Sequence, residues 1–319
     1  MIFIDWISTP YHKNFNRAFF DAIEITNTTC YVFSKSLVID EVNCIELKSS
    51  ENRFLRAIKV FKVCLKNKNQ SLFFLTYDPL LIPIIKIIKN NFFVFEHNTT
   101  PDETKSSFYK LFQKIFYKNI IRFAQFPGQY EILKNMNQFV RYLGSPLRKK
   151  KEDEIRSEND ITKNQYFILP SYRAEAPNQK LIKDLIHPNS IVVKANTKNS
   201  CDDEFFKNKG VARAEKIDLE NDNRNILGTF VNIESEIRGT GWYNESITHS
   251  LPIIICNNKT EKLFQGTFPS YPYIKIESNI DYAFFYHSLD KLRKFNNLEY
   301  IDQHNNEFNK NFLKHINCK

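Results

Sequence analysis

The stretch Glu236-Ile-Arg-Gly-Thr-Gly-Trp-Tyr-Asn-Glu-Ser-Ile-Thr-His-Ser-Leu-Pro-Ile-Ile-Ile255 reads as a loop, a helix and a strand in succession. It follows a strand pattern at Phe230–Ile233; its helix runs from about Trp242 to Ser250, and Leu251–Cys256 forms the next strand. Strand, helix and strand in this order make the crossover unit of a parallel sheet. Gly239 and Gly241, two of only 7 glycines in 319 residues, stand where the helix begins. Free backbone N–H groups and the positive end of a helix dipole together make an anion site there, one that suits a diphosphate. Glu245, a turn further on, is placed to accept hydrogen bonds from a diol beyond the phosphates. The plainer reading is a helix-start turn with a surface glutamate.

The same alternation extends in both directions. In the first half, strands are expected at Ile2–Trp6, Thr29–Phe33, Val42–Leu47, Leu72–Tyr77, Phe92–Glu96, Arg122–Gln125 and Phe139–Tyr142. Helices are expected at Asn14–Ile25, Glu51–Asn67, Pro79–Lys89, Thr104–Asn119 and Gly128–Asn135. Ten of the thirteen residues in Arg148–Asp160 are charged, which marks an interdomain linker. Beyond it come strands at Gln165–Pro170 and Ile191–Ala195, with helices near Asn178–Ile186 and Asp202–Lys207. The expected architecture is α/β: two Rossmann-like parallel-sheet domains, 1–147 and 161–290. Helices in 291–319 are expected to pack back on the first.

Composition removes several classes. With 7 glycines there is neither a G-x-G-x-x-G fingerprint nor a Walker A loop, so dinucleotide oxidoreductases and P-loop enzymes are set aside. The 6 cysteines are dispersed without a C-x-x-C pair, which argues against a zinc knuckle or redox dithiol and for a reducing, cytoplasmic compartment. The N-terminal Met1-Ile-Phe-Ile-Asp5 lacks the basic start of a signal peptide. The most apolar tract, residues 71–95, is broken by Asp78, Lys86, Lys89, Pro79 and Pro83, so no membrane span is expected.

The net charge of +9 is unevenly held. Residues 1–150 contain 22 Lys+Arg and 12 Asp+Glu; the rest contains 23 and 24. Such asymmetry favours an anionic partner for the first half. In Glu51–Asn67, Phe54, Ile58, Phe61 and Leu65 share a face beside Arg56, Lys59, Lys62 and Lys66. In Thr104–Asn119, Phe108, Leu111, Phe112, Ile115 and Phe116 form an apolar stripe. Lys110, Lys114 and Lys118 recur every fourth residue, with Arg122 next in register. Two readings stand: a solvated face over a core stripe, or contact with an anionic membrane surface or lipid-linked substrate. The same charge would attract nucleic acid, but no helix-turn-helix, zinc finger or RNA-binding aromatic signature occurs.

Glu245-Ser-Ile-Thr-His-Ser-Leu-Pro252-Ile253 resembles the donor-site helix of GT-B glycosyltransferases, the closing half of their Glu-x7-Glu motif. Phe92–Pro101 is similar to the acceptor domain's strand-end His segment, Tyr142–Pro146 to the exit from that domain, and Phe167–Arg173 to the first strand and loop of the donor domain. The resemblance implies two Rossmann-like domains facing a cleft, a nucleotide-sugar donor, a saccharide or lipid-linked acceptor in surface-polysaccharide synthesis, no metal and no nucleic acid. In it Glu245 binds the ribose, Gly239, Thr240, Gly241 and the following Tyr243, Asn244 and Ser246 surround the diphosphate, and Arg173, with Lys194 or Arg238, offsets its charge. The chain departs from the pattern at Ile237, where the first acid would stand, at Asn178, where a basic residue is usual, and at Ser250, which replaces a glycine.

On the acceptor side, Thr9, Tyr11 and His12 follow the first strand, where α/β folds place ligand loops. His12 is read as a base or as a polar loop residue. His97, at a strand's carboxyl end near carboxylates, is the expected catalytic histidine, unless it only bonds a loop carbonyl. Asp102 is either a general base or the N-cap of the helix that follows. The expected location is the inner face of the cytoplasmic membrane, held peripherally. The rival readings are a GT-B-fold sugar-nucleotide epimerase and a nucleic-acid-binding protein.

Overall fold

The computed structural model describes residues 1–7, 12–24, 28–47, 52–79, 81–88, 91–97, 100, 106–136, 138–150, 165–170, 185, 190–195, 219, 225–231, 241–277 and 280–317. The chain forms two compact units: Met1–Arg148 with His304–Lys319, and Lys149–Gln303.

The first unit is built on a seven-stranded sheet in the order β3-β2-β1-β4-β5-β6-β7, every neighbouring pair parallel. Its strands are β1 (Ile2–Asp5), β2 (Thr29–Val32), β3 (Asn43–Glu46), β4 (Leu72–Thr76), β5 (Phe92–Glu96), β6 (Ile121–Ala124) and β7 (Val140–Tyr142). The central strands are apolar without alternation because helices cover both faces of the sheet. On one face α2 (Arg53–Lys66), α3 (Leu81–Ile85) and α4 (Ser107–Phe116) pack on Ile4, Tyr31, Phe74 and Val94. On the other, α1 (His12–Ile23) lays Phe19 and Phe20 on Phe3 and Phe73. Phe308 and Phe312, from the last turns of the C-terminal helix, join this second cluster, with rings 5.7 and 5.6 Å from Phe19.

The second unit holds a five-stranded parallel sheet, β12-β11-β10-β8-β9. Its strands are β8 (Gln165–Pro170), β9 (Ile191–Ala195), β10 (Asn225–Val231), β11 (Ile253–Ile255) and β12 (Ile274–Lys275). The helices are α6 (Gly241–Thr248), α7 (Asn258–Thr267), α8 (Tyr282–Arg293) and the start of α9 (Asn297–Asn317); α5 (Pro127–Asn135) belongs to the first unit. Gly228 lets β10 lie close to its neighbour, since an added Cβ would come within 3.0 Å of the Pro252 carbonyl oxygen. Helix α6 ends in a Schellman turn, with Leu251 N–H donating to Ser246 and Ser250 N–H to Ile247. Ser250 there has φ 54°, the left-handed conformation a glycine adopts without strain.

The α/β reading holds, and Phe92–Glu96, Gln165–Pro170 and Ile191–Ala195 agree to the residue. Helix α3 is shorter than expected because Pro79 and Pro83 interrupt its frame. Helix α4 starts later than expected, capped by Ser106, whose hydroxyl accepts from Tyr109 N–H, so Asp102 is not its N-cap. Strand β12 and helix α7 were not read from the sequence. The helices expected at 178–186, save residue 185, and at 202–207 fall outside the described residues.

Candidate functional site

In each sheet the strand order reverses once, and ligand loops of α/β folds gather at the carboxyl ends of the strands that flank the reversal. In the first unit those strands are β1 and β4; in the second, β8 and β10.

Asp5 ends β1 and is fully buried. It accepts from the Thr76 hydroxyl at the end of β4, from Asn16 Nδ2 at 2.7 Å and from Ile7 N–H at 3.1 Å; His12 Nδ1 lies 3.6 Å away. Burial alone would push its carboxyl up, but the neighbouring His12, with the hydrogen bonds from Thr76 and Asn16, outweighs it and holds the pKa low. The His12 ring meets that of His97 at 5.0 Å, and His97 also packs edge-on against Phe15 at 4.4 Å. Burial, then the neighbouring His12, drives the His97 pKa down from 6.5 to about 3, so it is neutral at physiological pH. Its Nε2 is buried with no partner among the described residues. An imidazole backed by a carboxylate can take up a proton at its free nitrogen, whereas one held at about 3 is a weak base. The carboxylate clamp was missed from the sequence, although Asp5 stands where a strand runs into a ligand loop.

Glu96 and His97 are consecutive and point to opposite faces of the sheet, as the pleat requires. On the Glu96 side, Arg122 Nε donates to the carboxylate at 2.7 Å, Arg122 Nη1 to Gln113 at 2.7 Å, and the Tyr77 hydroxyl to Glu96 at 2.7 Å. Arg122 is fully buried and lies over the Tyr117 ring at 4.5 Å. This corrects its assignment to a basic surface ridge: it belongs to β6 beneath α4, and its charge is spent on Glu96. Lys114 and Lys118 are exposed and Lys110 partly so.

In the second unit α6 follows β10 and carries Glu245, whose side chain is 29% exposed. Ser246 donates to Thr229 of β10 at 2.9 Å and fixes the helix on the sheet. His249 is buried one turn on; its Nε2 lies 3.7 Å from Glu245, and Lys150 Nζ donates to its Nδ1 at 3.1 Å. Lys150, read as linker, is thus part of this unit's interior. Tyr243 is fully buried against Phe264 at 5.0 Å. Its ring and the Ser246 hydroxyl serve packing, which leaves only the backbone N–H groups of these two residues for a ligand. Gly241 is exposed, and an added Cβ would meet open space. Asn244 is half-buried. Lys194 lies on β9, its Cα paired with Leu169 of β8. Thr9, Tyr11, Asp102, Arg173, Arg238, Gly239 and Thr240 lie outside the described residues. Among the described residues no group of His, Cys, Asp and Glu is arranged to hold a metal ion, and no helix is long and apolar enough to cross a membrane.

No protein-family model matches the chain, and no curated protein does. Solved structures do. Anabaena HepE in complex with UDP-glucose superposes with a TM-score of 0.68 at 9% identity, over 99% of this chain and 98% of that one. A Rickettsia africae glycosyltransferase gives 0.55 at 11% identity, over 98% and 93%. A UDP-N-acetylglucosamine 2-epimerase gives 0.58 at 9% identity, over 100% and 96%. At such identities the likeness is one of fold, and the chain has the GT-B fold: two α/β units, each built on a parallel sheet.

Proposed function

We propose that the chain is a glycosyltransferase that moves a sugar from a UDP-sugar to a saccharide or lipid-linked acceptor in cell-surface polysaccharide synthesis. The observation that carries this reading is the strand order of the second sheet. The reversal between β8 and β10 brings to one place the strand end leading to Arg173 and the strand end leading to Gly239, Gly241 and Glu245. Anabaena HepE, of the same fold, binds UDP-glucose, which supports uridine diphosphate as the donor's leaving group.

Breaking the sugar–phosphate bond leaves an anionic diphosphate, and catalysis needs dipoles and positive charge already in place for it. The N–H groups at residues 239–241 supply the dipoles, while Arg173, Lys194 and Arg238 supply the charge; no metal is called for. Glu245 accepts from the ribose hydroxyls. In the first unit, His12 with Asp5 behind it takes the proton of the acceptor hydroxyl. The neutral His97 hydrogen-bonds the acceptor through Nε2, Thr9 and Tyr11 are assigned to acceptor binding by their place in the sequence after β1, and Asp102 stands nearby in sequence as a second carboxylate. The first half, with Lys110, Lys114 and Lys118, faces the anionic inner surface of the cytoplasmic membrane.

The 2-epimerase of the same fold supports a second reading, isomerisation of a UDP-sugar with no separate acceptor. Thermal unfolding with UDP, GDP, ADP, CMP or a short oligonucleotide tests the donor site. Selective stabilisation by UDP is expected; stabilisation by the oligonucleotide alone overturns both readings. Incubation with UDP-sugars in the absence of acceptor then separates them, since only an epimerase turns over.

A further inference from the structure

The α2–α3–α4 layer of the first unit has an outer surface unlike that of a solvated helical layer. The five-residue apolar stripe of α4 is only half used. Phe112 and Phe116 pack on the core, while Phe108 is 77% exposed and Leu111 and Ile115 are 55% and 56% exposed. On α2, Phe54 is 68% exposed, with Leu55, Ile58 and Leu65 also outside, and Ile87, just past α3, is 77% exposed. Single exposed apolar side chains are ordinary; a set on adjoining helices of one layer marks a contact surface. Lys86 Nζ donates to the Lys118 carbonyl at 3.0 Å, which ties the segment after α3 to the end of α4.

The charges flank this surface. On the helical wheel of α4 the arc of Phe108, Leu111 and Ile115 is bordered by the row Lys110, Lys114, Lys118; on α2, Lys62 and Lys66 border Phe54, Ile58 and Leu65. Helices that follow parallel strands begin at the strands' carboxyl ends, so Phe54 and Phe108, in the first turns of α2 and α4, lie at the end of the sheet that holds Asp5 and His12.

We infer that this face seats on an anionic lipid bilayer, with Phe54, Ile87, Phe108, Leu111 and Ile115 entering the acyl boundary and the lysines meeting headgroup phosphates. The inference rests on the membrane-facing reading above and sharpens it from charge attraction to apolar insertion, at the end of the sheet where the acceptor would arrive. Charge selects the occupant. A second copy of this face would set lysine rows against lysine rows, and a polyanion without an apolar phase would leave the phenylalanines in water.

The test is flotation of the full chain with phosphatidylcholine vesicles, with and without phosphatidylglycerol, at low and high salt. The wild type is expected to float with the anionic vesicles only, and a fraction is expected to persist at high salt. The variant Phe108→Ser/Leu111→Ser/Ile115→Ser is expected to lose at least roughly tenfold in bound fraction and all of the salt-resistant fraction. Phe54→Ser/Leu55→Ser on α2 is expected to lose a smaller share, and it serves independently if the first variant fails to fold. Neither should alter UDP-dependent thermal stabilisation, because the substituted side chains are solvent-exposed. Failure of the wild type to bind anionic vesicles, wild-type flotation of both variants, or binding only to an oligonucleotide overturns the inference. Loss of the UDP response with flotation intact would instead sink the donor reading and leave this one standing.

Discussion

The two sheets anchor their switch-point elements differently. In the first unit ionised groups are buried at the strand ends: Asp5 under His12, Asn16 and Thr76, and Glu96 under Arg122 and Tyr77. In the second, the helix that carries Glu245 is pinned by a neutral pair, Ser246 on Thr229. A buried charge is tolerated only with its partners in place, whereas a hydroxyl pair tolerates loss at modest cost. The clamps of the first unit therefore depend on protonation state and on every member of their networks, while the Ser246–Thr229 pair carries no charge to titrate. The chain's 2 tryptophans, Trp6 and Trp242, fall one in each unit, so fluorescence of single-tryptophan forms follows each separately.

The largest break in this contrast is Arg122→Met, which strands the Glu96 carboxylate in the interior. It should cost the first unit about 3–5 kcal/mol in urea denaturation followed at Trp6, with the Trp242 transition little moved. A cost within experimental error would return Arg122 to the surface.

Acid gives the next contrast. The folded-state pKa of His97 lies below its ordinary value, so the folded state binds fewer protons than the unfolded one. Its contribution to stability is complete above about 6.5 and is lost progressively as pH falls toward about 3. Asp5, held low, adds loss in the same direction below 3.8. The Trp6 transition should weaken over this window, and His97→Gln should flatten that response. A pH response at Trp6 that His97→Gln leaves unchanged would contradict this.

Ser246→Ala removes the donor in the neutral pair and should cost the second unit about 1–2 kcal/mol, read at Trp242. Smallest is Ser250→Gly. Serine at φ 54° bears the left-handed penalty that glycine escapes, so the change should raise the stability of the second unit by about 1 kcal/mol in the same assay.

These residues also show how far the sequence could be read. Strands Phe92–Glu96 and Gln165–Pro170 were legible because fully covered parallel strands are continuous apolar runs between turn signals. Ser250 was noted only as a departure from the motif's glycine, and the structure shows why a glycine is usual there: the helix end is left-handed. Arg122 was misread because the four-residue lysine period of α4 was carried past the helix onto a strand, where side chains alternate between faces. Asp5 stood at the mouth of a ligand loop, but its partner Thr76 is 71 residues away and only the pairing of β1 with β4 joins them. The α4 stripe was visible as a period, but period alone does not tell a covered arc from an uncovered one.

The proposed function turns on α6 carrying the donor site. Isothermal titration of UDP into the wild type and into Glu245→Ala tests it most directly, with the thermal midpoint of each as the fold check. The wild type is expected to bind UDP, and the variant to bind it at least roughly tenfold more weakly at an unchanged midpoint, as follows from loss of a charged hydrogen-bond acceptor. Equal affinities for the two proteins, or no binding of UDP by the wild type, would contradict it.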